Sequence, residues 1–136
     1  MNTKKFLLAA LAGGVGQSIA YAILEVGLLR DYLVTNIYNA TGASVTGEGS
    51  FPFWVGLLAI ILVMAYIYPK GYEGGSPAYE GLRFGVLLGL FSGVPFGVFF
   101  DNMFPIGAIP ALVFMLTYTA EIALAGLFIG LVYGKE

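Results

Sequence analysis

The sequence predicts an all-α, polytopic membrane protein, a single domain over residues 1–136 built as a four-transmembrane-helix bundle with both termini cytoplasmic. Three observations lead there. Hydrophobic residues make up 59% of the chain and charged residues only 10%, whereas soluble domains average about 25% charged. Mean hydropathy is +0.88. The apolar residues fall into four blocks, about 6–29, 51–68, 82–100 and 110–133, each at or near the ~20 residues a helix needs to cross ~30 Å of hydrocarbon.

The first block follows Lys4 and Lys5 and ends near Ala20-Tyr21-Ala22. That pattern imitates a cleavable secretion signal, and we read it as a signal anchor that remains as the first span. The second block, the shortest, opens on Phe51-Pro52-Phe53-Trp54, an aromatic interfacial entry with proline near the first helical turn. With Gly56 as its one glycine, it is expected to be the most lipid-exposed span.

The third block carries glycine at every fourth position, Gly81, Gly85, Gly89, Gly93 and Gly97, and is interrupted by Pro95. Residues four apart stay on one helix face, and small residues let helix backbones approach closely in lipid. Pro95 removes a backbone bond, so a kink is expected. The fourth block repeats the small-residue row at Gly126, Gly130 and Gly134. These rows serve either packing within the bundle or docking onto another chain.

Between the blocks lie Arg30–Ser50, Pro69–Gly81 and a turn near Asn102–Ile109. Lys4, Lys5, Lys70, Arg83 and Lys135 share one side, leaving only Arg30 on the other. Basic residues accumulate on the cytoplasmic side, so the N-terminus is expected inside, in a cell (inner, cytoplasmic) membrane.

Glu121 stands at the midpoint of the fourth block. A charge at the bilayer centre costs ~2.5–3.5 kcal/mol on insertion scales, so this residue is the leading site candidate. Gln17 matches its depth, with Tyr21 and Glu25 following at i+4 and i+8; Thr117 and Tyr118 stand one turn from Glu121, and Asp101 ends the third block. Together they outline a polar track from the outer surface inward. No basic residue lies at that depth, so the acid is expected to stay protonated, either as interhelical hydrogen-bonding glue or as a proton or cation site.

Several classes are set aside. The chain has no Cys and no His, which removes disulfides, thiolate or imidazole metal sites and the usual nucleophile–base pairs. No metal site, cofactor or enzymatic activity is expected. A net charge of −2 without a basic stripe gives nucleic acid no footing.

The opening Met1-Asn2-Thr3-Lys4-Lys5-Phe6-Leu7-Leu8, the pair Gly13-Gly14, the small-residue third block and the ending Gly130-Leu131-Val132-Tyr133-Gly134-Lys135 resemble a group of small uncharacterised four-helix bacterial inner-membrane proteins. The resemblance is a pattern over most of the chain. It implies a bacterial cytoplasmic membrane and transfers no activity or site residue.

The leading functional expectation is a helix-packing or accessory subunit that self-associates or docks on a larger membrane complex through its glycine faces. The alternative is a small proton- or cation-coupled transporter or channel using Glu121. A third is a binder of lipid or another apolar ligand beside the kinked third span, through Phe91, Phe96 and Phe114.

Overall fold

The computed structural model describes residues 2–42 and 51–134. Met1, most of the second half of the expected outer loop (residues 43–50) and Lys135 lie outside the described residues. Among the described residues every regular element is helical. Helix α1 (Thr3–Tyr21) runs into a π-helical segment, Ala22–Leu28. Then come α2 (Arg30–Leu33), a second π-helical segment (Val34–Tyr38) and α3 (Asn39–Thr41). Three long helices follow, α4 (Phe51–Gly71), α5 (Pro77–Met103) and α6 (Ala108–Tyr133).

Thr3–Leu28, Pro77–Met103 and Ala108–Tyr133 are long and apolar enough to cross a membrane, and a shorter apolar helix, Val55–Gly71, accompanies them. Their 26 or 27 residues extend ~39–40 Å at 1.5 Å per residue, beyond the ~30 Å hydrocarbon core. The molecule is a helical membrane protein. Large apolar side chains such as Leu11, Leu28, Phe91 and Ile109 are exposed on its outside, where lipid suits them and water does not.

Local chemistry sets the helix ends, and it moves several expected boundaries. The Asn2 side chain accepts hydrogen bonds from the backbone amides of Lys4 (3.0 Å) and Lys5 (3.4 Å), an N-cap that starts α1 at Thr3 rather than near Phe6. Helix α5 begins at Pro77 rather than residue 82, because proline's fixed φ suits the first helical position. Glu80 in its first turn accepts from the backbone amides of Glu73 (2.9 Å) and Gly75, which shortens the expected Pro69–Gly81 loop. The α5–α6 turn is fixed by Asp101, whose Oδ1 accepts from the Gly107 amide at 2.8 Å; Gly107 has φ 93°, a conformation side chains disfavour. Residues 30–41, expected as polar loop, are helical turns instead.

Helix α6 is the centre of the molecule. On one side it meets α5, whose buried residues are its five spaced glycines, Gly81, Gly85, Gly89, Gly93 and Gly97. A Cβ on Gly85 would sit 2.5 Å from the Ile122 carbonyl oxygen and 2.7 Å from Ala123 Cα; one on Gly126 would sit 2.6 Å from Gly85 Cα. Gly130 faces Gly81 Cα in the same way, at 2.8 Å. The α5 row is therefore covered by α6 along its length, Gly81 and Gly85 by Gly126 and Gly130, and Gly89, Gly93 and Gly97 by Thr119, Tyr118 and Met115. Pro95 lies within α5 on its exposed surface.

On its other side α6 packs against α1 and α4. Ala9 and Ala10 of α1, Ile61, Met64, Ala65 and Tyr68 of α4, and Ile122, Ala125 and Ile129 of α6 form the apolar core. At one end Tyr68 lies 5.4 Å from the Phe84 ring and 5.8 Å from the rings of Tyr72 and Tyr133. There the Tyr133 hydroxyl donates to the Ala65 carbonyl at 2.9 Å, and Lys5 lies 5.7 Å over the Tyr133 ring. This cluster gathers the start of α1, the end of α4, the start of α5 and the end of α6.

Candidate functional site

Glu121 and Gln17 meet at the α1–α6 seam because glycine lets the two backbones close up. A Cβ on Gly13 would meet Ile129 Cγ1 at 2.8 Å, and one on Gly16 would meet the Leu124 carbonyl oxygen at 2.7 Å. Gln17 follows Gly16 directly, and Glu121 lies one turn before Leu124. Both side chains are buried, at 4% and 6% exposure, and they are neighbours. Each keeps a fully buried Oε1 without a hydrogen-bond partner among the described residues. Orphaned polar atoms of this kind are costly in an apolar interior and call for an explanation.

Glu25 is the second carboxyl beside Glu121. The sequence places it at the outer end of the polar track; in the structure it is half-buried and turned onto the same seam. The π-helical winding of Ala22–Leu28, closed by the Leu29 amide donating to the Leu24 carbonyl at 2.8 Å, provides the reason. Four residues overshoot a full α-helical turn by about 40°, and the wider i→i+5 winding removes that overshoot. Tyr21 adjoins both acids.

After Leu29 the chain turns back, which brings in a residue the sequence reading missed. The Tyr38 hydroxyl donates to Glu25 Oε2 at 2.9 Å across thirteen positions, far closer than a continuous helix of that length permits. Leu33 and Ile37 on this returning segment are buried. Burial and the adjacent Glu25 carboxyl push the Tyr38 hydroxyl well above the ordinary phenol range, so it stays a donor at neutral pH. No periodicity in residues 30–41 reports this reversal; the tyrosine alone, in a segment expected to lie at the membrane surface, was available as a signal. Tyr38→Phe is expected to lower the melting temperature in detergent by the equivalent of about 1–2 kcal/mol, the ordinary worth of such a bond. An unchanged melt would mean that Tyr38 does not hold Glu25.

Three members of the expected polar track are engaged elsewhere. The Thr117 hydroxyl donates to its own helix, at the carbonyls of Val113 (3.1 Å) and Phe114 (3.0 Å). Tyr118 stacks on Phe114, ring centroids 6.5 Å apart, and lines the approach to Gly93. Asp101 holds the α5–α6 turn. The site is therefore Glu121, Glu25, Gln17, Tyr21 and Tyr38. The three phenylalanines expected to line an apolar pocket also separate, since the Phe96 and Phe114 rings meet tilted at 5.8 Å while Phe91 points outward at 78% exposure.

Among the described residues no group of three or more His, Cys, Asp or Glu side chains is arranged to hold a metal ion. Comparison with protein-family models, curated proteins and solved structures finds no match to this chain.

Proposed function

We propose that this chain crosses the membrane four times with both termini cytoplasmic, and that it binds a proton or small monovalent cation at the Glu25–Glu121 pair as a small non-enzymatic transporter or channel of a bacterial cytoplasmic membrane. The observation that carries the reading is the pairing itself. Two carboxyls lie side by side at a helix seam with Gln17 and Tyr38 as their polar neighbours. Adjacent carboxylates in a low dielectric cannot both remain bare anions, so one proton or one cation belongs between them. The Oε1 atoms of Gln17 and Glu121, buried without a hydrogen-bond partner among the described residues, are acceptors that such a guest would engage.

Two features support the four crossings. The 21 residues of α4 reach ~31 Å, and its core face lies along α1 and α6. The clustering of four helix ends around Tyr68 and Tyr133 fits Lys4, Lys5, Lys70 and Arg83 sharing one side, the cytoplasmic one by the positive-inside rule.

The deciding experiment is proton and sodium flux in proteoliposomes for the parent and Glu121→Gln. Flux in the parent that collapses in the variant is the expected result. Equal flux in both, or none in either, removes the acids from any transport role.

A second reading keeps the accessory or self-associating subunit. It draws on the outer surface of α5, where Leu87, Phe91 and Phe99 stand exposed. Docking through the α5 glycine row is disfavoured, because α6 already covers it.

A further inference from the structure

We infer that Gln17 makes the acid-pair site selective for a dehydrated alkali cation of sodium size over a proton, an inference that rests on reading Glu25 and Glu121 as the place where the guest is held. Two orphaned oxygens point to it. Gln17 Oε1 and Glu121 Oε1 are fully buried, without a hydrogen-bond partner among the described residues, on side chains only 4% and 6% exposed.

A proton cannot serve every acceptor here. It bonds one oxygen and is accepted by one other, so a single proton shared by the two carboxyls leaves nothing for a third oxygen. The carbonyl oxygen of a glutamine only accepts, and it is too weakly basic to hold a proton of its own. The Tyr38 hydroxyl does not supply the donor either, because it is committed to Glu25 Oε2 at 2.9 Å. A metal cation differs in that it gathers carboxylate and carbonyl oxygens around one centre.

Charge and space narrow the class of cation. One positive charge beside two carboxyls relieves their mutual repulsion. Among the described residues no third His, Cys, Asp or Glu completes a metal-holding group with the pair. That disfavours calcium, which takes about six to eight oxygens, and magnesium, which sheds water reluctantly. The seam beside Gln17 is narrow, since a Cβ on Gly16 would lie 2.7 Å from the Leu124 carbonyl oxygen. Backbones this close favour a bare ion, its hydration shell replaced by protein oxygens.

Sodium and proton flux in proteoliposomes of the parent and Gln17→Leu test the assignment. The parent should carry sodium. In the variant the ratio of sodium to proton flux should fall at least about tenfold, the worth of one bond to a charged group, while proton flux, which needs only the carboxyls, persists. A purely structural role for Gln17 lowers both fluxes together and leaves the ratio unchanged. In detergent, sodium chloride should raise the melting temperature of the parent above its value in choline chloride at equal ionic strength, and Gln17→Leu should lose this difference. A water molecule on Gln17 Oε1 predicts no such difference. The inference is overturned by proton flux without sodium flux in the parent, which leaves the acid pair as a proton site. It is also overturned by identical melting of the parent in the two salts, or by an unchanged flux ratio in Gln17→Leu. Absence of both fluxes in the parent removes the acid-pair reading itself and this inference with it.

Discussion

Gly85→Leu is expected to prevent α5 from seating on α6. A Cβ alone at this position would lie 2.5 Å from the Ile122 carbonyl oxygen and 2.7 Å from Ala123 Cα. Both obstacles are backbone atoms of a helix, which cannot swing aside as a side chain can. Overpacking a core costs about 1–3 kcal/mol when side chains can adjust and more when they cannot, so a loss above ~3 kcal/mol is expected. Reduced yield, a polydisperse elution profile and a lowered melting temperature in detergent would register it. Gly14→Ala is the control, since nothing lies within 4 Å of a Cβ there; it should melt with the parent. A stable, monodisperse Gly85→Leu protein would mean that α5 and α6 do not pack through their glycines.

Glu25→Gln and Glu121→Gln are each expected to abolish most proton or cation flux, and the double variant should lose little more than either. Removing one member of a buried, hydrogen-bonded charged set costs about 2–5 kcal/mol, a loss of at least ~30-fold in binding. Groups that act as one unit are strongly non-additive. Strictly additive losses would show two independent acids and sink the shared-guest reading. Glu121→Asp retains the charge and should keep part of the flux.

What the chain reveals before its structure is known divides along physical lines. Helix existence was legible because length and apolarity alone decide it in lipid, as the blocks around α1, α5 and α6 demonstrate. The regular spacing of Gly81 to Gly97 marked one face of α5, though not its partner: the same spacing serves an internal or an external neighbour, and only the position of Ile122 and Gly126 opposite resolves the ambiguity. Glu121 and Gln17 were recognisable because polar groups stand out against an apolar background. Glu25 was legible as a member of the same track, though not its turn onto the Glu121 seam, and Tyr38 was not legible at all: these placements depend on π-helical winding and on a chain reversal after Leu29, and neither leaves a periodic trace. Thr117, Tyr118 and Asp101 were misplaced for a related reason. A hydroxyl can turn to its own helix carbonyls and an aspartate can fasten a turn, and both local options took precedence over the longer-range track.

The irregular winding of Ala22–Leu28 makes residue count, rather than residue type, the determinant of where Glu25 points. Deleting Ile23 leaves the hydrophobicity of the segment almost intact while shortening the spacer ahead of the acid by one residue, which rotates every following side chain around the helix axis. The carboxyl would then swing away from the seam. Such a deletion is expected to insert and accumulate like the parent yet conduct no better than Glu25→Gln, a sensitivity to single-codon indels that substitution scanning of this segment would never detect.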